Sequence, residues 1–454
     1  MDTEAHYDYL VAVIGAGPAG LNAAKQLASQ GVYVVLINRD IKPGGLAEYG
    51  IYHSKHKMKA GLRNQFRRIL HAANIEYFGN LVVGNKGDLT LKELDALGFQ
   101  AVLVTVGAQG TKWLGLPGED LVGVYHAKDI VYHYNKLPPF SQKQFAIGKH
   151  AALIGVGNVM LDIARWLIRD LKVPRVTAVA RRGPKEVKFT KKEMQSVARN
   201  LDLADLDEEI ERVAPFMEAV DQDPAAAKDF ILSAMEKAQD PVSDSCFTFE
   251  FLTSPSRIIG GERGEVRGLE VEDTELIPKN GDTKANRLGT KRILPVDTVI
   301  FCIGDKVEDD FGLPVRWNEF VKNSAPRFPV QDISYEAYDP ELEKPVEGVF
   351  VAGWSREASS GLVGVARKDG ESGAQAVLQY LAGQPPQPDL SRNLEEFRQR
   401  LADLDKHVVT KPEWEKLEAQ EEAEAARLGL EEFKFSTNEE MLDAIESSDL
   451  QPAD

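Results

Sequence analysis

The apolar positions of the first forty residues change period twice. Tyr9 to Ile14 is a continuous apolar run, Leu21 to Leu27 carries its apolar residues on one helical face, and Val32 to Ile37 is continuous again. Continuous runs suit strands buried on both faces, and a 3.6-residue repeat suits an amphipathic helix. The pattern predicts strand, turn, helix and strand over Tyr9 to Asp40, with Gly15-Ala16-Gly17-Pro18-Ala19-Gly20 as the turn. In a G-x-G-x-x-G so placed, the first glycine permits the tight turn. The second lets backbone approach a pyrophosphate, and the third lets the helix pack close to the strand. The start of the helix aims N–H groups at the phosphates without any charged side chain. Following a strand and opening a helix gives this motif the context that a dinucleotide site requires.

Residues 151–182 repeat the design, with Gly155 and Gly157 in the turn and Met160 at the third glycine position. An internal repeat of this unit means two dinucleotides or two halves of one site. Met160 is expected to hold the second helix further from its strand. Ligand choice is read at the end of the second strand of each copy. In the first copy Asn38, followed by Arg39, stands about where an acid usually holds a ribose hydroxyl. In the second copy Arg181 and Arg182 stand there. Guanidinium groups match a 2′-phosphate in charge and fork geometry, so the second site favours NADP over NAD.

Between and after these units the pattern predicts further elements. A glycine-rich loop, Lys42 to Gly50, follows the second strand, and such loops let backbone lie against a flat ring. Residues 55–68 suggest a helix with a basic face: Lys55, Lys57, Lys59, Arg63, Arg67 and Arg68, with no acid. That face is either solvated or a docking site for an acidic partner. Strands are expected at 75–84 and at Gln100 to Gly107, the latter ending at the cofactor. Lysines 185, 188, 191 and 192 form a second basic run. Residues 202–240 read as acidic helix and 246–301 as antiparallel strands with a polar turn at 279–290. A buried strand at Pro295 to Gly304 holds Cys302 as a core thiol. A last buried strand ends at Gly353-Trp354, and Gly361 and Gly364 introduce an apolar helix, Leu362 to Leu378. Trp354 suits either the core or stacking on a planar cofactor. Gly383 to Pro388 is a linker, followed by a Glu/Ala-rich helical segment and a short helix around Asn438 to Ile445.

Composition narrows the function. Hydrophobic residues make up 43% and charged residues 28%, as in an ordinary globular protein, and no apolar run approaches a membrane span. The acidic start, MDTEAHYDYL, does not resemble a signal peptide. Two cysteines, Cys246 and Cys302, are too few for a cysteine-ligated iron–sulfur cluster or zinc site and too far apart in sequence for a local dithiol. A cytoplasmic location is the plain expectation. The net charge of −17 argues against general nucleic-acid binding. Residues 389–454 hold 19 acidic and eight basic residues, a net of −11, which leaves only −6 for the body.

Taken together, VIGAGPAG, PGGLAEYGI, LVVG, VTVGAQG, LPGEDLVGVYHAKDIV, IGVGNVMLDIAR, ARRGP with FTKKEM, FEFLTSP, and VAGW followed by SGLVG form a specific set. Over residues 9–385 the chain resembles the adrenodoxin-reductase type of ferredoxin–NADP⁺ reductases, and FKFSTNEEMLDAI is similar to a tail in bacterial relatives. The resemblance implies an α/β fold with two Rossmann-like, three-layer dinucleotide-binding domains and a C-terminal helical tail. Their expected bounds are 1–108 with 335–390 for FAD, 109–334 for NADP and 391–454 for the tail. FAD would lie on Gly15 to Gly20, with Asn38, Arg39, Gly45, Leu46, Val83, Gly107, Trp354, Gly361, Leu362 and Val363 around it. NADP(H) would lie on Gly157, Asn158 and Val159, with Arg181 and Arg182 on its 2′-phosphate and Glu193 on the adjoining ribose. Trp354, Gly361 and His56 are the implied catalytic positions. Hydride would pass between nicotinamide and flavin, and single electrons to or from a ferredoxin-like iron–sulfur carrier docking on the basic residues of 55–68. The cysteines exclude a disulfide reductase. An electron-input subunit like that of glutamate synthase, or a flavin-binding regulatory protein, are the alternatives. The chain departs from the family at Asn38, Met160, Ile51 to Lys55, Ser196 and Ser359-Ser360.

Overall fold

The computed structural model describes residues 7–358 and 361–448, and the chain divides into two compact units. The first comprises residues up to 111, 132–142 and those from 304 onward. Its main sheet has, among the described residues, the order Glu336–Asp339, Lys344–Val351, Ala101–Val104, Tyr9–Ile14, Val32–Ile37, Ile75–Gly79, Val409–Thr410. The inner strands run parallel, and the two edges are antiparallel. Helices on both faces explain the continuous apolar runs. Val11 and Val13 point into a core with the helices Pro18–Ala28 and Val363–Leu381. Leu10, Ala12 and Ile14 point into a second core with Leu94, Phe311 and Phe397.

The acidic tail is part of this unit. Trp414, Leu417, Met441 and Ile445 fill the first core, and Leu394, Phe397 and Leu401 the second. Thr410 and Glu413 form a capping box at the start of the Lys411–Leu428 helix, and Gly429 ends it in the left-handed conformation. Residues 304–334, expected with the NADP domain, also fall in the first unit. Val307, Phe311, Leu313 and Phe320 bury against Leu10, Ala12 and Ile14, which is what places them there.

The second unit comprises residues 112–131 and 143–303. A five-stranded parallel sheet has the order Val124–His126, Thr298–Phe301, His150–Ile154, Arg175–Val179, Cys246–Glu250. A three-stranded antiparallel sheet, Thr253–Gly260, Val266–Lys279 and Asp282–Leu294, shares a core with it through Ile258, Leu269, Val271, Val299 and Phe301. Two expectations for 246–301 are corrected here. Cys246–Glu250, at the edge beside Arg175–Val179, and Thr298–Phe301 are strands of the parallel sheet, not part of an antiparallel set. Residues 279–290 are mostly strand, and the turn is only Asn280-Gly281, both at positive φ (49° and 79°). Asn-Gly is the sequence that a two-residue hairpin of this hand selects.

Candidate functional site

The first glycine turn is tightly enclosed. Gly15 has φ +102°, and a Cβ there would stand 2.6 Å from the Thr105 carbonyl oxygen. A Cβ on Gly20 would overlap the Gly15 carbonyl oxygen and lie 2.5 Å from Thr105 Oγ1, whose hydroxyl donates to the Gly15 carbonyl at 2.8 Å. Around Gly17 the space is open: an added Cβ would meet no heavy atom within 4 Å. Packing therefore demands Gly15 and Gly20, whereas the room at Gly17 fits a pyrophosphate against the backbone. The Pro18–Ala28 helix begins there with Gly17 as its N-cap and Pro18 in the first turn.

The loop after the second strand closes on this turn. Gly44 N–H donates to the Ala16 carbonyl at 2.7 Å, and Gly45 lies so near that its Cβ would be 3.1 Å from Gly17 Cα. Leu46 opens the short Leu46–Tyr49 helix. Asn38 is expected near a ribose hydroxyl, and its side chain here is engaged within the chain. The side chain is buried, its Oδ1 accepts from Ala16 N at 3.0 Å, and its Nδ2 donates to the carbonyls of Asp40 (2.8 Å) and Lys42 (3.0 Å). A short amide spans turn and loop; a carboxylate could still accept from Ala16 N but would have no N–H to offer the Asp40 and Lys42 carbonyls. Arg39 donates to Asp40 Oδ1 at 3.2 Å and to Gln109 Oε1 at 3.2 Å, with Glu308 at 3.8 Å.

Strand ends supply the rest of the first site. Gly107 N–H donates to Ser355 Oγ at 2.9 Å, tying the loop after Ala101–Val104 to the Gly353–Ser355 turn that holds half-buried Trp354. Asp369 fixes that turn from within the Val363–Leu381 helix. It accepts from Gly353 N (2.6 Å), from Arg356 Nη2 (2.7 Å) and from the Tyr335 hydroxyl (3.0 Å). Gly361 has φ +72°, Leu362 is the helix N-cap and 66% exposed, and Val363 opens the helix. Val83 is buried beside Leu89. Ser359 and Ser360 lie outside the described residues.

Sequence reading missed how the tail meets this site. Lys42, Glu48, Lys59 and Lys434 are each at least 90% buried. Lys434 Nζ lies 2.8 Å from Glu48 Oε1 and 4.7 Å from the centre of the Tyr49 ring. Arg63 donates to Glu48 (2.5 Å) and also pairs with Glu432, Lys59 pairs with Glu432 (2.8 Å), and Lys42 pairs with Glu421. Burial opposes the charge on Glu48, but Lys434, Lys42 and Arg63 outweigh it and hold the carboxyl well below its usual range. Burial, with Lys59 and Lys42 close by, pushes Lys434 down to about 8 despite Glu48 and Glu432.

This network corrects the docking expectation for the His56–Leu70 helix. Lys59 is buried, Arg63 is neutralised by Glu48 and by Glu432 of the tail, and Arg67 by the tail's Glu418 (2.9 Å) and Glu422 (3.3 Å). Lys57 and Arg68 remain exposed, and Lys55 is half-buried. His56 Nε2 lies 3.6 Å from Glu431. The tail's Glu/Ala-rich composition showed helix but carried no sign of which acids would be buried.

The second turn repeats the first in part. Gly155 has φ +117°, its Cβ would meet the Cys302 carbonyl oxygen at 2.6 Å, and Gly157 has open space around it. Met160 is fully buried. Asn158 Oδ1 accepts from Thr190 N at 2.8 Å, and Lys188 N donates to the Val156 carbonyl at 2.8 Å. Thr190 caps the Lys191–Met194 helix carrying Glu193, so those bonds bring Glu193 to the turn. Val159 is 43% exposed and Arg181 is exposed. Arg182 Nη1 lies 3.2 Å from Asp282 Oδ2, a contact hidden while 279–290 was read as a turn. Burial pushes the Cys302 thiol far up, which leaves it inert.

Residues 9–201 match the family described as pyridine nucleotide-disulphide oxidoreductase. NADPH-ferredoxin reductase FprA of Mycobacterium leprae is 27% identical over 96% of this chain and 98% of its own. Human mitochondrial NADPH:adrenodoxin oxidoreductase is 26% identical over 95% of this chain and 91% of its own. The solved structure of Mycobacterium tuberculosis FprA in complex with NADPH aligns with a TM-score of 0.78 at 25% identity, covering 96% of this chain and 99% of that one.

Proposed function

We infer that this chain, which belongs to the adrenodoxin-reductase type of ferredoxin–NADP⁺ reductases, is an FAD-dependent oxidoreductase that moves reducing equivalents between NADPH and an iron–sulfur electron carrier. The observation that carries this reading is the pair of glycine turns, each opening a helix and each with open space beside its second glycine. Two such cradles in one chain call for two dinucleotides. The relatives over nearly the whole length are NADPH-linked reductases of ferredoxin and adrenodoxin.

Gly15 to Gly20 and Gly45 would hold the FAD pyrophosphate, with Leu46, Val83, Gly107, Trp354, Gly361, Leu362 and Val363 along the rest of it. Gly157, Asn158 and Val159 would hold NADP(H), Arg181 and Arg182 would take its 2′-phosphate, and Glu193 the adjoining ribose. Bound flavin supplies the conversion between a two-electron hydride and single electrons; the protein supplies orientation and electrostatics. The Gly107–Ser355 bond and the Asp369 contacts hold the strand-end turns fixed, so Trp354 keeps its place relative to Gly107. The 19-residue helix beginning at Val363 would favour electron-rich atoms of the cofactor near its N-terminal N–H groups. The first unit, residues up to 111, 132–142 and from 304 onward, would carry FAD, and the second, 112–131 and 143–303, would carry NADP(H); a cytoplasmic location is also part of this proposal, supported by two free cysteines. Among the described residues no helix is long and apolar enough to cross a membrane.

Docking of an acidic carrier would use exposed Lys57 and Arg68 with Lys55, and no longer Lys59, Arg63 or Arg67 as a free set. The test is NADPH-driven reduction of an acidic ferredoxin, followed through cytochrome c at several salt concentrations. Turnover that falls steeply with salt supports the reading. A flavin-loaded protein that reduces no ferredoxin at any salt concentration would overturn it.

A further inference from the structure

Resting on the assignment of Arg181 and Arg182 to the 2′-phosphate, we propose that Asp282, at the tip of the Val266–Lys279/Asp282–Leu294 hairpin, is a specificity-determining residue. It occupies the anion position on Arg182 and weakens the site's preference for a 2′-phosphorylated nucleotide.

The hairpin reaches back to the end of the Arg175–Val179 strand and is latched there at two points. Arg182 Nη1 donates to Asp282 (3.4 Å to Oδ1, 3.2 Å to Oδ2) and to the Thr283 carbonyl (3.2 Å). Thr283 Oγ1 donates to Glu186 Oε1 at 2.7 Å, and Gln222 Nε2 donates to the same oxygen at 2.5 Å. Further down the strand, Thr274 Oγ1 donates to the Arg181 carbonyl at 2.7 Å. The guanidinium that should receive a dianionic phosphate thus already faces a carboxylate. The Asp282 side chain is 72% exposed and is held by the Thr283 N–H (2.8 Å) and by Arg182, with Lys188 near enough to lower its carboxyl further.

A phosphate arriving at Arg182 must displace this carboxylate or bind beside it, and either costs affinity through like charge. A nucleotide without the 2′-phosphate pays nothing at this position, because its ribose hydroxyl can donate to a carboxylate. Asp282 is exposed, so its effect is that of a surface ion pair: a few-fold, and screened by salt. The Thr283–Glu186 latch is independent of the Asp282 carboxylate, so the hairpin stays in place when that charge is removed.

Calorimetric titration of the flavin-loaded protein with adenosine 2′,5′-bisphosphate and with 5′-AMP tests this without turnover. Asp282→Asn should bind the bisphosphate about three-fold more tightly, bind 5′-AMP unchanged, and lose its advantage at high salt. Asp282→Glu, which keeps the charge, should behave as the parent. Unchanged or weaker bisphosphate binding by Asp282→Asn would overturn the proposal. Arg182→Ala separates the two levels of the argument. If it fails to weaken bisphosphate binding, the 2′-phosphate assignment itself falls; if it weakens binding while Asp282→Asn is neutral, only the role of Asp282 falls.

Discussion

Gly15 and Gly155 stand in equivalent places, at φ +102° and +117°, each with a neighbouring strand's carbonyl 2.6 Å from where a Cβ would be. Beyond that the two turns part. The first is overlaid by Gly44 and Gly45, pinned by the Asn38 amide, and reached through Lys42 and Glu48 by charges of the C-terminal tail. The second carries exposed Val159 and Arg181 and is approached by a hairpin through one exposed ion pair. A turn enclosed by its own chain suits a ligand that stays, and an open one suits a ligand that enters and leaves in each cycle. Under the proposed function the same sequence plan would serve two kinds of residence, and the difference lies in what later segments do to it.

The sharpest way to break this comparison is at the tail network. Glu48→Gln leaves Lys42, Arg63 and Lys434 facing one another with less compensation, and should cost about 3–5 kcal/mol in chemical denaturation. Neutralising Asp282 should cost almost nothing by the same assay, since exposed pairs carry little. At the turns, Gly20→Ala drives a methyl into the Gly15 carbonyl and should destabilise by about 3 kcal/mol, whereas Gly157→Ala should leave the Tm unchanged and weaken only NADP⁺ binding. If both glycines behave alike, the distinction between packing and ligand room is wrong.

Smaller effects sharpen the account. Asn38→Ala removes the bonds between turn and loop and should cost about 1–3 kcal/mol together with FAD affinity. Asn38→Glu should weaken flavin retention too, although a glutamate there would suit a ribose. The smallest effect is a pH dependence. Lys434 falls from its ordinary 10.5 to about 8 on folding, so between those values the unfolded chain binds more protons. This group's contribution to stability therefore rises with pH across that window. The Tm of the parent relative to Lys434→Met should climb from about pH 8 to about pH 10.

Much of the fold was legible because period carries it. The runs at Tyr9–Ile14 and Val32–Ile37 read as strands buried on both faces, and they are. Both glycine turns were legible for the same reason, since strand and helix flank them. What stayed hidden depends on distant pairing. Nothing local in the tail tells that Glu418 and Glu421 are buried while Glu422 is exposed. The basic residues of 55–68 read as a docking face because the tail acids that pair with Lys59, Arg63 and Arg67 (Glu432, Glu418 and Glu422) lie more than three hundred positions away. Asp282 escapes a local reading because the polar stretch 279–290 reads whole as a turn, although Asn280-Gly281 alone makes the reversal.

Anaerobic stopped-flow reduction of the purified protein by NADPH and, separately, by NADH reads the flavin and the nucleotide preference in one experiment. The account predicts bound flavin that bleaches rapidly with NADPH and markedly more slowly with NADH. A protein without flavin, or a flavin that neither nucleotide reduces, would contradict it.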